Sequence, residues 1–326
     1  MTNYRYILEP YTGTKSRYTC PKCQHRVKTF KLYVDTHTGE LLADHVGRCD
    51  REEQCGYHYT PKEYFKATPG AYQHSNTTMI KTPSTPTHID TIPLRYMEKS
   101  QEGDRPNNFV YFLREMFGEN NARELALKYN IGTSNKWPGG TIFWQMDKNG
   151  KLRTGKIMLY NVTDCRRVKE PGYMVTWVHH KLYVKTKIKE DFQLRQCLFG
   201  EHLLQTDPFK TVAITESEKT AVIASRYYPN LIWLAAGGLE GLTVGKCKVL
   251  RDRNVILYPD INGYAKWHTI ADELNRRIPG ATFKVDQTLV HSECPGDRER
   301  GIDIADRWID ERLKEWDSER QWGLRE

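Results

Sequence analysis

The sequence predicts a mixed α/β protein: a small cysteine-rich β domain, then an α+β region, then an α/β domain with a mostly parallel sheet. Three observations predict this order. Four of the eight cysteines lie before residue 56. Residues 67–95 are rich in Thr, Pro and Ser and have little apolar periodicity, as in an extended linker. After residue 209, hydrophobic strands alternate with helical patterns, which is typical of βαβ units.

The length of 326 residues suits two or three domains. With 38% hydrophobic and 28% charged residues, the composition is that of a globular protein. We predict a cysteine-rich domain at residues 1–66 and a linker at residues 67–95. A basic α+β lobe should follow at residues 96–208, and an α/β domain with a C-terminal helix at residues 209–326.

The formal net charge of +8 favours an anionic partner, such as nucleic acid or a phosphate-bearing substrate. No apolar run approaches the roughly 20 residues that a membrane span needs. The N-terminus has no basic segment followed by an apolar core, so it does not resemble a signal peptide. The sequence therefore predicts a cytoplasmic protein with no membrane partner.

The clustered cysteines are typical of a structural zinc ribbon. The first pair forms a C-x-x-C knuckle and the second is spaced more widely, and two such pairs can supply four thiolates in a tetrahedron. The predicted ligands are Cys20, Cys23, Cys49 and Cys55. Because the second spacing is unusual, one thiolate could be replaced by a nearby histidine: His25, His45 or His58. Buried free cysteines are the alternative interpretation.

Basic and aromatic residues accompany the predicted ribbon. They are Lys22, Arg26, Lys28 and Lys31, with Tyr18, Phe30 and Tyr33. Basic groups for phosphates and rings for bases suit single-stranded DNA. A solvated basic face is the alternative.

The middle of the chain predicts a helical region and then a hairpin. Phe109, Phe112, Leu113 and Phe117 have helical spacing, a second run follows, and Gly132 is placed to end it. Residues 139–161 read as two strands around Lys148-Asn149-Gly150.

The last part predicts four strands and four helices. The strands are residues 211–215, 231–238, 254–261 and 281–288, and the helices are residues 217–228, 242–252, 263–278 and 303–316. Ligands of such sheets collect beyond the carboxyl ends of the strands. Acidic residues at those ends are therefore the candidate functional groups.

Four acids occupy such positions. Glu216 follows the first strand of this part, Asp260 ends the third, and Asp303 and Asp306 come after the last. Carboxylates brought together from separate strands predict an Mg²⁺ (or Mn²⁺) site for phosphoryl or nucleotidyl transfer or phosphodiester cleavage. Asp303 could instead be a helix N-cap, and Glu218 could serve the dipole of its helix.

The pattern VAITESEKTAVIAS, LIWLAAGG, VILYPDINGYAKW and DIADRW resembles the Toprim domain of bacterial-type DNA primases and topoisomerases. In that family a glutamate follows the first strand and Asp-x-Asp the third. These positions match Glu216, Asp260 and Asn262, so the second aspartate is an amide here. The stretch from Asp303 is similar to the late acidic motif of primases. The order of ribbon, basic lobe and Toprim domain is that of bacterial and phage primases, including those of mobile elements.

The resemblance implies an enzyme that makes short RNA primers on single-stranded DNA from NTPs, with a replicative helicase as a further partner. It implies that Glu216, Asp260 and Lys156 are catalytic. Other basic residues would contact nucleotide or template: Lys151, Arg153, Lys219 and Lys266. The implied magnesium ligands are Glu216, Asp260, Asn262 and Asp303.

Asn262 leaves two interpretations open. An amide oxygen can bind magnesium but brings no charge, and the Asp-Ile-Asn-Gly sequence is also typical of a strand entering a turn. A non-catalytic DNA-binding accessory protein and a Toprim nuclease are therefore the alternative functions.

Overall fold

The structure is a computed structural model that describes residues 5–11, 16–36, 38–51, 54–68, 88–103, 107–169, 174–184, 186, 188 and 192–323. The chain forms two compact units, residues 1–85 and 86–326. Most of the predicted linker, from 69 to 87, lies outside the described residues. The predicted boundaries at 66, 95 and 208 stay predictions.

The first unit contains a three-stranded antiparallel sheet in the order β1-β2-β3, followed by one short helix. These elements are β1 Tyr6–Leu8, β2 Phe30–Asp35, β3 Gly47–Cys49 and α1 Pro61–Ala67. Thr60 and Glu63 form a reciprocal capping box at the start of α1, with proline at the first helical position. The buried cluster of this unit is small: Cys20, Phe30, Leu32, Cys49 and Cys55.

The second unit begins with helices and an antiparallel sheet in the order β4-β5-β6-β7. The helices are α2 Arg95–Gln101, α3 Asn108–Phe117 and α4 Glu119–Lys128; the strands are β4 Ile131–Ser134, β5 Gly140–Met146, β6 Leu152–Met158 and β7 Val175–Trp177. A π-helical turn, His180–Val184, and a 3-10 helix, Glu201–Gln205, follow. The predicted hairpin around Lys148-Asn149-Gly150 is the β5–β6 pair.

The helical region breaks at a different residue from the one predicted. Gly118, between α3 and α4, has φ +79°, a conformation that favours glycine, and its amide closes α3 by donating to the carbonyl of Arg114. Gly132, the predicted stop, instead lies within β4.

The rest of the second unit is an α/β layer with a four-stranded parallel sheet in the order β11-β10-β8-β9. Its strands are β8 Val212–Thr215, β9 Ile232–Ala235, β10 Asn254–Tyr258 and β11 Thr282–Val285. Its α-helices are α5 Glu218–Tyr227, α6 Val244–Cys247, α7 Tyr264–Arg277, α8 Thr288–His291, α9 Asp297–Arg300 and α10 Ile304–Gly323, and its 3-10 turns are Leu239–Gly241 and Lys248–Leu250. The predicted mixed α/β fold with a mostly parallel sheet is confirmed.

Two helices of this layer bear on the predictions. The helix predicted over 242–252 is only one turn of α-helix and a 3-10 turn. The last helix packs on the core as predicted: Ile309 is buried, and the Trp308 ring stacks on Tyr227 with centroids 4.2 Å apart. Among the described residues, no helix is both long and apolar enough to span a membrane.

Candidate metal centres and nucleotide site

The four predicted zinc ligands come together in the first unit. Their sulfur atoms all lie within 4.8 Å of one another, and the thiols of Cys20 and Cys55 are 3.6 Å apart. Three of the four side chains are buried. Four thiolates at these separations suit a closed tetrahedral zinc site, which is structural because no ligand position is left open. The ligands are Cys20, Cys23, Cys49 and Cys55, as predicted.

The three histidines considered as substitute ligands are engaged elsewhere. His45 lies 2.8 Å from the carboxylate of Asp44, and His58 lies 2.9 Å from the hydroxyl of Tyr33. The ring nitrogen of His25 contacts the backbone of Val27.

The ribbon surface only partly matches the residues predicted to bind DNA. Phe30 is fully buried beside the cysteines, so it is a core residue rather than a surface ring for a base. Lys31 pairs with Asp50 at 2.5 Å, whereas Arg26 and Lys28 are exposed.

Two acidic residues meet at the carboxyl edge of the parallel sheet. Glu216 follows β8 and Asp260 follows β10, and these strands are neighbours. The backbone amide of Asp260 donates to Oε1 of Glu216 at 3.1 Å. Glu216 is buried, and Oδ1 of Asp260 is a buried oxygen without a hydrogen-bond partner among the described residues. An unpartnered buried carboxylate oxygen is costly unless a cation or a proton satisfies it.

Both acids at this edge have raised pKa values. Burial, together with the charges of Asp303 and Glu216, raises the pKa of Asp260 to about 9. Burial also raises the pKa of Glu216 to about 7, despite the hydrogen bond from the Asp260 amide. Like-charged groups in a shielded site disfavour ionisation, and a divalent cation would reverse this.

Glu216 and Asp260 suit magnesium as a pair of carboxylate ligands. In the part of the chain that the structure describes, no three carboxylates have ligand oxygens all within 4.8 Å of one another; the four cysteines alone meet that distance. Magnesium is commonly held by one or two carboxylates and completed by waters and substrate phosphates. Glu216 and Asp260 are therefore the side chains that would hold it.

Asp303 is buried close enough to this pair for its charge to raise both pKa values, and protein groups bind its two oxygens. Its Oδ1 accepts from the amides of Ala305 and Asp306, so it caps α10, as the alternative interpretation allowed. Its Oδ2 accepts from the Thr220 hydroxyl at 2.6 Å and lies 3.4 Å from the ammonium of Lys219.

Lys219 is buried between two carboxylates. Its ammonium donates to Asp306 at 2.6 Å in addition to its contact with Asp303. Although burial acts in the opposite direction, Asp303 and Asp306 hold the pKa of Lys219 well above its usual value. A buried lysine with two carboxylates is positioned to neutralise the acidic cluster rather than to extend towards a phosphate.

Lys156 connects the antiparallel sheet to the glycine turn after β9. Its ammonium donates to Glu218 at 3.0 Å and to the carbonyl of Gly237 at 3.1 Å. The amide of Gly237 in turn donates to the carbonyl of Glu216. Gly237 therefore links the Lys156 ammonium to the backbone of Glu216.

Asn262, two residues after Asp260, makes a different contact. It is exposed, and its amide nitrogen donates to the carbonyl of Arg298 at 2.8 Å, which ties the turn after β10 to α9. Lys266, on α7, pairs with exposed Glu240, and its charge acts to lower the pKa of Glu216.

The other two basic residues of the hairpin differ in availability. Arg153 is clamped by the buried carboxylate of Asp147 through two hydrogen bonds, at 2.9 and 2.6 Å. Lys151 is exposed, and its backbone amide closes the turn on Asp147.

Sequence reasoning missed two charged residues at the edge. Glu218 is fully buried and paired with Lys156, so it does more than compensate a helix dipole. Lys246 donates to the carbonyl of Ala236 at 3.1 Å, and burial lowers its pKa. In the sequence, the two glycines after the hydrophobic strand indicate the turn that follows β9. They do not show which lysine donates to the carbonyls of that turn.

The raised pKa values predict a pH-dependent stability. A carboxyl whose pKa is higher folded than unfolded favours folding at low pH, and that contribution is lost as pH rises through the folded value. Without divalent metal, the second unit should therefore lose stability as pH rises from about 4, near the ordinary carboxyl pKa, through the folded values of about 7 and about 9. All eight tryptophans lie in this unit, so their fluorescence during urea unfolding reports on it. Asp260→Asn should flatten the dependence.

The matched control is Asp272→Asn, at an exposed position on α7. It should leave the pH dependence unchanged. Added Mg²⁺ should stabilise the wild type more at pH 9 than at pH 6. An equal effect of Mg²⁺ at both values, or an unchanged profile in Asp260→Asn, would contradict the assignment.

Gly263 makes room for Glu216. A Cβ at this position would lie 2.2 Å from Oε1 of Glu216, although the backbone there is ordinary right-handed helix. Gly263→Ala should therefore displace Glu216 and cost about 1–3 kcal/mol of unfolding free energy in urea. Adding Glu216→Ala should relieve the clash.

Gly245→Ala is the control, because its Cβ would meet nothing closer than 3.9 Å. A loss in Gly263→Ala no larger than in this control, or one that Glu216→Ala does not reduce, would refute the proposed contact.

Comparisons with known proteins match a family model to each of the two units. Residues 4–70 match a zinc β-ribbon finger family. Residues 107–261, slightly under half of the chain, match a domain of unknown function, DUF6371. No curated protein matches the sequence.

Several solved structures show a distant likeness. The DnaG primase catalytic domain bound to ssDNA is 14% identical, covering 67% of this chain and 80% of that one, with a TM-score of 0.39. The primase fragment of the bacteriophage T7 primase-helicase is 12% identical, covering 91% and 100%, with a TM-score of 0.35. The zinc-binding and RNA polymerase domains of Aquifex aeolicus primase are 13% identical, covering 94% and 80%, also at 0.35. At TM-scores this low, neither the fold nor the function of this chain rests on these likenesses.

Proposed function

We propose that this chain is a primase-like nucleotidyltransferase that makes short RNA primers on single-stranded DNA with Mg²⁺. The observation that carries the proposal is the contact between Glu216 and the Asp260 amide at the edge of the parallel sheet. Lys156 reaches the same edge from the neighbouring antiparallel sheet. The motifs around these residues resemble those of Toprim primases.

Glu216 and Asp260 are the proposed ligands of the catalytic ion. When bound there, magnesium would orient the attacking hydroxyl and the triphosphate and stabilise the charge that develops on them. Lys219 acts beneath them by holding the charges of Asp303 and Asp306 in place. The exposed amide of Asn262 remains a candidate ligand through its oxygen only, since its nitrogen is bound to Arg298.

Basic side chains supply the proposed contacts with nucleotide and template. Lys156 would neutralise the triphosphate, and Lys151 and Lys266 would reach phosphates from the rim. Arg153 is held rigidly by Asp147, which fixes its guanidinium for such a contact. NTPs and a single-stranded DNA template are the proposed partners, together with a replicative helicase.

A second candidate is a non-catalytic DNA-binding accessory protein. It is favoured by one observation: the position matching the second aspartate is an amide whose nitrogen donates to the Arg298 carbonyl, so this position adds no third carboxylate to Glu216 and Asp260. A calorimetric Mg²⁺ titration separates the two. Binding that Asp260→Asn abolishes supports the enzyme, whereas no Asp260-dependent binding supports the accessory protein.

The direct test is primer synthesis by the full chain with labelled NTPs, Mg²⁺ and single-stranded DNA of varied sequence. Labelled oligonucleotides that require template, NTPs and Mg²⁺ are the expected product. No product on any template would overturn the proposal, and nicking of DNA without NTPs would indicate the nuclease instead.

A further inference from the structure

Three adjoining cavities form one groove in the second unit. The first, of about 280 Å³, lies between the β5–β6 turn and the segment that follows α6. The second shares Arg195, Lys246 and Lys248 with it, and the third shares Lys148 and Val249. Because neighbouring cavities share lining residues, the three adjoin one another.

The groove is more basic than the chain as a whole. Its lining contains seven basic and three acidic residues, whereas the whole chain has 49 basic and 41 acidic residues. Two of the acids are satisfied by protein groups: Asp147 by Arg153, and Glu201 by the backbone amides of Lys148 and Leu198. The third is exposed Asp252, beside Arg251.

Three cations of the groove are available to a ligand. Lys148, Arg195 and Lys248 are exposed, and none forms an ion pair with the residues that the structure describes. They come from three separate segments of the chain and converge on one cavity, which suits several phosphates in a row.

One end of the groove carries an exposed aromatic ring. Phe209 is 92% exposed and lines the third cavity. Its loop is well fixed: Oδ1 of Asp207 accepts from the amides of Phe209 and Lys210, and Arg253 donates to the carbonyls of Asp207 and Leu204. An exposed ring on a fixed loop beside phosphate-binding groups suits an unpaired base.

The other end opens beside the proposed catalytic edge. Lys246 lines the groove and donates to the carbonyl of Ala236, the residue before Gly237, to which Lys156 is bound. At the opposite end, Phe209 precedes β8 in the chain, and Arg253, which lines the same cavity, precedes β10. The groove therefore runs from the carboxyl edge of the sheet to its amino edge.

We propose that this groove binds single-stranded nucleic acid, with phosphates on Lys148, Arg195 and Lys248 and a base stacked on Phe209. The inference rests on the proposed function for the role of the strand, which enters or leaves the site along this path. A duplex would offer no unstacked base to Phe209, and a mononucleotide would fill only one of the three cavities.

The test measures binding of a fluorescent oligo(dT) to the full chain by anisotropy, with no Mg²⁺ and no NTPs. Phe209→Ala should weaken binding by about 10-fold, within the range expected for one stacked base. It should have no effect with an oligomer that carries abasic sugars throughout. Lys148→Ala/Lys248→Ala should reduce the slope of log K against log[salt] by about 1.4, at roughly 0.7 for each lost phosphate contact on a single strand.

Two control variants lie outside the groove. Leu127→Ala removes another exposed apolar side chain, and Lys284→Ala/Lys314→Ala removes two other exposed lysines. Any binding by the zinc ribbon is common to all variants. Equal affinity of Phe209→Ala and Leu127→Ala, equal slopes for the two lysine pairs, or a Phe209 effect that persists on abasic oligomer would overturn the proposal. So would equal binding of duplex DNA.

This test separates the inference from the proposed function. Glu216→Gln should bind oligo(dT) as the wild type does, because Glu216 does not line the groove. A protein that never makes primers could therefore still confirm the groove, and an active primase could still refute it.

Discussion

Glu216→Gln is expected to lower primer synthesis by at least about 1,000-fold while leaving the second unit folded. In the proposed function the charge of Glu216 helps to hold the catalytic ion, whose effect is worth several kcal/mol in the transition state. The glutamine oxygen can still accept from the amide of Asp260, so the local structure is kept.

The stability of this variant provides a second, opposite expectation. The charge of Glu216 helps to raise the pKa of Asp260, so removing that charge relieves repulsion when no metal is bound. At pH 8 without Mg²⁺, Glu216→Gln should be as stable as the wild type or more stable in urea, measured by tryptophan fluorescence. Loss of activity without loss of stability separates a catalytic role from a structural one.

Glu273→Gln is the matched control, since Glu273 is a half-buried glutamate on α7 that pairs with Arg277 and lies outside the acidic pair. It should retain primer synthesis. If Glu216→Gln were as active as Glu273→Gln, the acidic pair would not be the catalytic centre.

Removal of zinc is expected to unfold the first unit and leave the second intact. Three of the five residues in the buried cluster of the first unit are themselves ligands, so little core remains without the metal. Zinc binding contributes about 10–16 kcal/mol in comparable small domains. Cys49→Ser, or a strong chelator, should release the zinc and make residues 5–68 rapidly cleaved by protease.

The measurement combines zinc content with two structural readouts. The wild type should contain one zinc per chain, and the tryptophan unfolding midpoint should not change when it is removed, because all tryptophans lie in the second unit. Cys294→Ser, at an exposed cysteine outside the cluster, should retain zinc. Undiminished protection of the first unit after zinc loss would contradict this account.

The main features were predictable from local patterns. Cysteine spacing identified the four thiols, because ligand pairs are set by short turns. Alternation of strands and helices placed Glu216 and Asp260 at one edge, since the carboxyl ends of parallel strands meet there. Their contact then depends on β8 and β10 being neighbours, which the structure shows.

Other features depend on contacts between distant segments, which periodicity does not report. Glu218 has the same position in its helix whether it is exposed or paired with Lys156, 62 residues away. The bond from Asn262 to Arg298 likewise depends on how α9 is placed. The sequence analysis placed the helix end at Gly132, whereas the positive φ that ends α3 occurs at Gly118.

The groove was not predicted because its cations are scattered. Lys148, Arg195 and Lys248 lie about fifty residues apart along the chain, and no run of charge marks them. Phe209 is a single aromatic residue in a loop, which sequence alone cannot separate from a core residue.

The most direct test of the central claim is a crystal structure of the full chain soaked with Mn²⁺ and measured for anomalous scattering. The account predicts an anomalous peak from a Mn²⁺ ion bound by the carboxylates of both Glu216 and Asp260. This peak should be absent in crystals of Glu216→Gln. A wild-type crystal with no manganese at these two residues, from protein that makes primers, would contradict it.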